Sequence, residues 1–373
     1  MSQDKMERLR RILSEARETR FVRTETPPVD LSPCIFVHHF PHSTFYGEYP
    51  LTIPNRAAEL LDSFFSCPSP SLLAFLDVET TGLSAGTGNY VFLAGIGRYA
   101  PEGFLITQVL LSDVSNERAF LQELVSYLHG VAGLVTYNGR VFDWPLLETR
   151  FRLNRMPEPE IPFHLDLLYP ARRLFSGSLP SCSLQHIEYH VLNAVREGDI
   201  PSHLIPAMFW QYQRTRDLRA LAPVLEHNKK DVLALASLLS ALACMAEDPQ
   251  TITQASVLLG LGRAACDSGN PEKGLPLVSQ AIRKGIPEPH LSRALRHLSA
   301  SLKRAGLFDL ALQLWESHFH PVCLVEMAKY FEHTLCDIES ALSCTERCIS
   351  SFGEDADDTL RRRWQRLRKK LAR

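Results

Sequence analysis

The sequence predicts an α/β domain, a mixed sheet flanked by helices, followed by an all-α domain of helical repeats. Between residues 72 and 242, short apolar runs of strand length alternate with segments of helical period, which is typical of a layered α/β architecture. Strand patterns disappear after Glu247. Beyond it, similar segments begin at Gly269 and Gly306, with a weaker copy at Asp337, and a period in the mid-thirties indicates tetratricopeptide-like repeats. Generic paired helices are the alternative.

Length and composition limit the class of protein. The chain has 373 residues, enough for two or three domains, and 45% of them are hydrophobic, which excludes disorder over the whole chain. The 40 Lys and Arg residues nearly balance 42 Asp and Glu residues, for a formal net charge of −2. The overall charge therefore does not indicate a nucleic-acid ligand, and evidence for a phosphate-bearing substrate must be local.

Cysteine content and the N-terminal sequence predict a cytoplasmic protein. Nine cysteines, an odd number without a Cys-x-x-Cys pair, are typical of unpaired thiols in a reducing compartment. The stretch from Met1 to Arg23 mixes Arg with Asp and Glu and lacks the apolar core of a signal peptide. No apolar run approaches the ~18 residues that a membrane helix needs, so we expect no membrane association.

Proline-rich stretches and changes of period divide the chain into three predicted segments. These are an N-terminal extension (1–70), an α/β domain (71–246), and a helical-repeat domain with a basic tail (247–373). In the extension, the patterns predict a polar helix, a strand and a short helix, over 1–20, 34–40 and 56–65. In the α/β domain, they predict strands over 72–76, 89–98, 104–111, 131–136 and 163–165, and helices over 115–128, 144–153 and 218–242.

Two carboxylates at the end of the first predicted central strand form the first candidate site. Asp77 and Glu79 follow an apolar run, and side chains at i and i+2 point to the same face of a strand. Placing two buried like charges together is unfavourable unless a cation lies between them. Mg²⁺ and Mn²⁺ are divalent ions that prefer carboxylate ligands. The alternative is a pair that is simply solvated at the strand end.

A second candidate element runs from Thr136 to Leu147. An apolar run ends there in Tyr-Asn-Gly, a turn, and Asp143 stands directly before Trp-Pro, where a helix is predicted to begin. Asp143 is therefore a natural N-cap. However, ligands gather at the carboxyl ends of strands in open α/β sheets, so Asp143 is also a candidate third carboxylate of the cluster.

The third element lies on a predicted helix. His227 and Asp231 are four residues apart and share one helix face. An imidazole beside a carboxylate suits metal-assisted hydrolysis, in which the Asp ligates the ion and the His positions or deprotonates water. Taken alone, the pair is more typical of a surface helix contact worth a few tenths of a kcal/mol.

A glycine-rich stretch after the first strand does not fit a dinucleotide site. Gly82, Gly86 and Gly88 follow the strand, but Val91 stands where a G-x-G-x-x-G pattern requires another glycine. The stretch is therefore predicted to be a flexible segment that permits close approach of a ligand.

Together, the three elements resemble the DEDD superfamily of 3′–5′ exonucleases, which have an RNase H-like fold. The resemblance rests on Asp77-x-Glu79, Tyr137-Asn-Gly-x-x-Phe-Asp143 and His227-Asn-x-x-Asp231, in this order. Within the superfamily, the chain is most similar to the YprB-like family of predicted exonucleases, related to the proofreading domain of family B DNA polymerases. Members of that family resemble this chain in Glu79-Thr-Thr-Gly-Leu83 and His164-Leu-Asp-Leu167, and they carry C-terminal tetratricopeptide-like repeats.

The resemblance implies roles for individual residues. Four acids would hold two divalent cations, Mg²⁺ or Mn²⁺: Asp77, Glu79, Asp143 and Asp231. His227 would hold or deprotonate the attacking water, although here a His has the spacing at which family B members carry Tyr. We expect substrate contacts from Thr80, Thr81, Gly82, Leu83, Asn138 and Phe142. Phe142 as a core residue and Asp166 as a capping residue are alternatives that stay open.

The sequence thus predicts a metal-dependent 3′–5′ exonuclease that acts on single-stranded ends of DNA or RNA. An endonuclease is one alternative. A second is a non-catalytic scaffold that binds nucleic acid and recruits a protein such as a helicase through its repeats. The tail from Arg361 to Arg373 is basic throughout its charged positions, and it is either a solvated helix end or a phosphate-contacting patch.

Overall fold

A computed structural model describes residues 32–53, 55–82, 87–352 and 358–372. The helix predicted over 1–20 lies outside these ranges, as do Leu83 and Arg373. The described chain divides into two compact units. The first comprises the chain up to Asp62, Ser66–Arg172 and Leu179–Asp248, and the second comprises Ser63–Phe65, Arg173–Ser178 and the chain from Pro249 onward.

A six-stranded mixed sheet forms the centre of the first unit. Its strands follow the spatial order β1-β6-β5-β4-β7-β8, with β4, β7 and β8 parallel and the other pairings antiparallel. Their bounds are Cys34–Pro41 (β1), Leu73–Thr80 (β4), Val91–Ala100 (β5), Gly103–Leu110 (β6), Gly133–Thr136 (β7) and Phe163–Asp166 (β8). A separate two-stranded ribbon consists of Phe45–Tyr46 (β2) and Tyr49–Pro50 (β3). The mixed α/β class predicted from the sequence is confirmed.

Seven α-helices accompany the strands in this part of the described chain. They are Asn55–Phe65 (α1), Glu117–Leu128 (α2), Asp143–Leu153 (α3), Leu168–Phe175 (α4), Leu184–His190 (α5), Ile205–Thr215 (α6) and Ala222–Glu247 (α7). The main core is apolar and includes stacked rings of Phe92 on β5 and Phe209 on α6, whose centroids are 4.2 Å apart. The central strand β4 is buried from Leu73 to Leu76, as its continuous apolar run predicts.

Helix α7 lies close against the sheet because β5 carries glycine at two alternate positions. A Cβ on Gly95 would stand 2.4 Å from Asn228 Oδ1, and one on Gly97 would stand 2.7 Å from Val232 Cγ1. Any side chain there would push α7 away from the sheet. Since Gly95 pairs with Asp77 on β4, the two glycines bring α7 to the place where the acidic strand end lies.

The second unit is helical throughout its described residues after Pro249. Its α-helices are Ala255–Asp267 (α8), Pro271–Lys284 (α9), His290–Arg304 (α10), Phe308–Glu316 (α11), Pro321–Tyr330 (α12), Ile338–Phe352 (α13) and Asp358–Leu371 (α14). The similar sequence segments coincide with the starts of α9, α11 and α13. Gly269 and Gly306 have φ angles of +83° and +73°, so each ends the preceding helix in a conformation that glycine favours.

The basic tail forms α14, and part of its charge is neutralised within the chain. Glu332, whose side chain is fully buried, accepts hydrogen bonds from Arg363, Arg366 and Lys370 at 2.7 to 3.1 Å. Leu367, which belongs to α14, is fully buried. One face of the tail therefore holds α14 in place, a role that neither sequence interpretation included. Across the described ranges, no helix combines the length and apolarity needed to cross a bilayer.

Candidate active site

The carboxyl end of β4 carries the first two candidate ligands. Asp77 and Glu79 are partly buried on one face of the strand, as their alternate spacing predicts. The pairing between β4 and β5 shifts register between Glu79 and Thr80. Such an irregularity turns the end of a strand and re-aims its side chains, which is common beside active sites.

A buried amide connects the acidic strand to helix α7. Asn228 donates through Nδ2 to Asp77 Oδ2 at 2.8 Å and to the Asp77 carbonyl at 3.1 Å. The amide is itself oriented by Gln108 on β6, which donates to Asn228 Oδ1 at 2.8 Å. Gln108 also contacts His38 on β1 at 3.1 Å. This chain of hydrogen bonds fixes both Asp77 and the rotation of α7.

Three side chains converge closely enough to share a single ion. A ligand atom from each of Glu79, His227 and Asp231 lies within 4.8 Å of the other two. His227 Nε2 is 3.9 Å from Glu79 Oε1 and 3.5 Å from Asp231 Oδ2. His227 and Asp231, one helical turn apart on α7, thus contact each other inside the site. The surface-pair interpretation is wrong, because His227 is buried.

Asp143 approaches the same cluster from the connection after β7. The N-cap prediction is wrong: Asp143 is the first residue of α3, and Phe142 holds the cap position without a side-chain hydrogen bond. The helical hydrogen bonds begin earlier than expected, since Trp144 N–H already donates to the Gly139 carbonyl at 2.8 Å. A Cβ on Gly139 would stand 2.7 Å from Asp143 Oδ2, so the glycine leaves room for the carboxylate.

The electrostatics of the cluster favour the binding of positive charge. Burial raises the pKa of Asp77 well above its usual range, and three neighbouring carboxylates raise it further: Asp231, Glu79 and Asp143. Burial likewise raises the pKa of Glu79 to about 8, although the nearby imidazole opposes this, and that of Asp143 to about 7. Carboxylates whose negative form is this unfavourable are stabilised by a bound cation. The oxygen-rich donor set fits Mg²⁺ or Mn²⁺.

Asp199 contacts the imidazole and was not predicted from the sequence. Its Oδ1 lies 2.7 Å from His227 Nδ1. The pKa of Asp199 falls to about 2, because hydrogen bonding and the charges of His227 and Arg196 outweigh the effect of burial. Burial lowers the pKa of His227, but Asp199 and the surrounding carboxylates outweigh it and raise the value to about 9.

Arg196 is the second residue that sequence reasoning missed. Its guanidinium forms ion pairs with Asp231 Oδ1, with Asp199 Oδ2 at 3.2 Å and with Glu188 Oε1 at 2.7 Å. The side chains of Arg196 and Glu188 are 7% and 1% exposed, so this is a buried charge network. Arg196 holds one oxygen of Asp231, and the other faces His227. Arg196 lies in an irregular segment, and Asp231 is 35 residues away, so no spacing pattern in the sequence indicates this contact.

The threonines predicted to touch substrate use their hydroxyls in the turn after β4. Thr80 Oγ1 donates to the Gly82 carbonyl at 2.8 Å. Thr81 Oγ1 accepts from the Tyr90 N–H at 2.9 Å, and its own N–H donates to the Tyr90 carbonyl at 3.0 Å. These bonds give the turn a fixed shape next to Glu79. Leu83 lies outside the described residues.

Asn138 and Phe142 lie on the turn between β7 and α3. Asn138 has a left-handed φ of +62°, and its N–H donates to Asp166 Oδ1 at 2.7 Å. Asp166 also accepts from the N–H groups of Arg140 and Leu168, so the capping interpretation of this buried acid is confirmed. The core interpretation of Phe142 is wrong, because its side chain is 50% exposed.

Comparisons with known proteins agree with this architecture. A family model described as RNase_H superfamily matches residues 74–243. A Bacillus subtilis (strain 168) protein, named "Uncharacterized protein YprB", is 30% identical over 313 residues, which are 80% of this chain and 75% of that protein. A family B DNA polymerase from the hyperthermophilic archaeon Pyrobaculum calidifontis is 18% identical with a TM-score of 0.36, over 57% of this chain and 29% of that chain. The family model confirms the predicted RNase H-like domain, and the Bacillus subtilis relative confirms the similarity to YprB.

Proposed function

The chain belongs to the YprB family and carries an RNase H superfamily domain over residues 74–243, and from this premise we propose that it is a metal-dependent nuclease. In its specific form, the proposal is a 3′–5′ exonuclease of the DEDD type that hydrolyses single-stranded DNA or RNA ends. The observation that carries it is the group of partly buried carboxylates, Asp77, Glu79 and Asp143, that gathers beside the carboxyl end of β4 and has raised pKa values. A group of this kind is costly in a folded protein unless it binds cations.

The proposed ligands of two divalent cations, Mg²⁺ or Mn²⁺, are Asp77, Glu79, Asp143 and Asp231. Bound there, two ions would stabilise the attacking and leaving oxygens of an in-line displacement at phosphorus. The chain's own contribution is the placement of the acids. Asn228 holds Asp77 in position, and Arg196 binds one oxygen of Asp231 and leaves the other facing the cluster.

His227 is proposed to hold the attacking water and to accept its proton at Nε2. Its Nδ1 is engaged by Asp199, so Nε2 is the nitrogen that faces Glu79 and Asp231. The raised pKa of His227 comes from the surrounding carboxylates, which neutralisation by cations would offset. The tyrosine-type spacing of this His is compatible with the role, because the contact with Asp199 sets the ring orientation.

The proposed substrate contacts surround this cluster on two turns. Thr80 ends β4, and Thr81, Gly82 and Leu83 come next in the sequence; we propose that these four residues contact the terminal nucleotide. Asn138 and Phe142 follow β7, and the exposed Phe142 ring is available to stack on a base. Stacking on an aromatic ring tolerates every base, which suits an enzyme that degrades strands without sequence preference.

The test is cleavage of a 5′-labelled single-stranded oligonucleotide, as DNA and as RNA, by the full chain with Mg²⁺ or Mn²⁺. The proposal expects products that shorten stepwise from the 3′ end and no cleavage in chelator. Asp77→Asn and Asp143→Asn should each abolish cleavage, whereas Glu102→Gln, an exposed carboxylate on the β5–β6 turn, should not. A blocked 3′ end should stop the reaction, and cleavage that persists would favour an endonuclease.

A non-catalytic scaffold is the second candidate, and the ion pair between Arg196 and Asp231 favours it, since a guanidinium competes with a cation for that carboxylate. In this alternative, tetratricopeptide-like repeats in the second unit recruit a protein partner such as a helicase. Absence of cleavage and of Mn²⁺ binding, together with retained oligonucleotide binding, would select the scaffold and overturn the nuclease.

A further inference from the structure

A small cavity in the second unit is surrounded by positively charged side chains. Its volume is about 170 Å³, and its walls come from the segment after Arg173, from α8 and from the start of α10. We call it the cationic pocket and define it by its polar lining side chains: Arg173, Ser176, Ser256, Arg263, His290 and Arg293. At ~30 Å³ per water molecule, the cavity has room for about five waters or for one phosphate group.

A close approach between two backbones places these charges together. A Cβ on Gly260 of α8 would stand 2.5 Å from the Arg173 carbonyl oxygen and 2.7 Å from Leu174 Cα. Glycine at this position therefore allows α8 to lie directly against the 173–174 segment. Arg263, one helical turn further along α8, is thereby brought beside Arg173.

Arg263 carries a buried polar group that has nothing to bind. Its Nε is shielded from solvent and has no hydrogen-bond partner in the described part of the chain. An unpaired buried donor is unfavourable, and such groups in folded proteins usually indicate a bound water, ion or ligand. Burial and the charge of Arg173 lower the pKa of Arg263, and together they outweigh the opposing charge of Asp267.

The charge around the cationic pocket is not balanced by nearby acids. Asp267 binds Arg173 Nη2 at 3.0 Å and also contacts His297 Nε2 at 2.9 Å. Within the described ranges, neither Arg263 nor Arg293 forms an ion pair. The pocket thus holds two guanidinium groups, those of Arg263 and Arg293, that form no direct ion pair within the described residues.

We propose that the cationic pocket is a binding site for a phosphate group. Guanidinium groups bind phosphate oxygens through paired, charge-assisted hydrogen bonds, and the hydroxyls of Ser176 and Ser256 add neutral donors. The group could belong to a free phosphate compound or to the backbone of a nucleic acid. The second source rests on the proposed function, whereas the site itself does not.

The first experiment measures binding of inorganic phosphate to the full chain by ³¹P NMR titration, without divalent cations. Under these conditions the carboxylate cluster of the first unit repels anions, so binding reports on the cationic pocket. Arg293→Gln and Arg263→Gln should each weaken binding about tenfold, the loss expected for one charge-assisted hydrogen bond. Arg304→Gln, which removes an exposed charge from the same helix outside the pocket, should leave it unchanged.

The second experiment separates the two sources by oligonucleotide anisotropy at several salt concentrations. If the ligand is a backbone phosphate, Arg293→Gln should reduce the slope of log affinity against log salt by about 0.7–1, and Arg304→Gln should not. If the ligand is a free phosphate compound, inorganic phosphate binding should fall in Arg293→Gln while the slope stays constant. The proposal is overturned if wild type does not bind phosphate, or if both pocket variants, Arg263→Gln and Arg293→Gln, bind it as wild type does. Neither readout involves cleavage, so failure of the nuclease proposal would be seen separately.

Discussion

The Nδ1 atom of His227 lies 2.7 Å from Oδ1 of Asp199, although the two residues are 28 positions apart and Asp199 lies outside any helix or strand. The contact determines which ring nitrogen is left for chemistry. Nε2 faces Glu79 and Asp231, at 3.9 and 3.5 Å. Asp199 thus acts on the candidate active site through the imidazole and, in the proposed mechanism, is a positioning residue.

Removal of Asp199 should lower turnover more than substrate affinity. We expect Asp199→Ala to reduce kcat about 10–100-fold with little change in KM, because the imidazole loses the partner that orients it. Asp199→Asn keeps an acceptor oxygen and should recover part of the activity. ¹⁵N NMR of His227 gives an independent check, since loss of the contact should alter the proton distribution between its nitrogens. An unchanged spectrum and unchanged kcat would contradict the assignment.

Replacement of Arg196 should destabilise the first unit. Arg196→Met leaves Glu188, Asp199 and Asp231 without their shared cation, and breaking a buried ion pair costs about 3–5 kcal/mol. Urea unfolding monitored by tryptophan fluorescence measures the change. The double variant Arg196→Met with Glu188→Gln should recover part of the loss, because the most buried carboxylate is then neutral. A loss below about 1 kcal/mol would indicate that the network contributes little.

A methyl group at Gly95 on β5 should disturb the site by pushing against Asn228 on α7. In Gly95→Ala the new Cβ would lie 2.4 Å from Asn228 Oδ1, so α7 must shift and the hydrogen bond from Asn228 to Asp77 weakens. We expect a loss of about 1–3 kcal/mol in the free energy of unfolding. Gly88→Ala is the matched control, since a Cβ there meets nothing within 4 Å. Equal stability of the two variants would show that α7 has freedom to move.

The sequence predicts those site residues that stand at regular spacing within one strand or one helix. Asp77 and Glu79 alternate at the end of an apolar strand, and His227 and Asp231 share a helix face, so local period alone places each pair. Arg196 has no such period, because its own segment is irregular and its contact with Asp231 spans 35 residues of the chain. The contacts of Arg196 are therefore visible only in the folded structure.

Pairing partners within the sheet show the same limit. The strand at Cys34–Pro41 was predicted from its own residues, but its position at the sheet edge beside β6 depends on a register that alternation does not specify. Phe142 illustrates the converse. An aromatic residue between a strand and a helix suggests a core position, whereas the turn at Asn138 leaves the ring half exposed. Local sequence thus predicts whether a segment forms a strand or a helix. It does not predict which segments pack against each other.

The contact between Glu332 and α14 should make the stability of the second unit depend on acid. Burial alone would raise the pKa of Glu332, but hydrogen bonds and charges from Arg366 and Lys370 outweigh it and lower the value to about 2. A depressed carboxyl pKa contributes stability that is present above the unfolded value of 4.5 and is lost as pH falls toward 2. Glu332→Gln should therefore cost about 2 kcal/mol at pH 7, and this cost should shrink by roughly 1 kcal/mol between pH 6 and 3.5. Urea unfolding at several pH values measures it, with the exposed Glu339→Gln on α13 as control. A cost that does not change with pH would mean that the lost packing of Glu332, and not its charge, holds α14 against the unit.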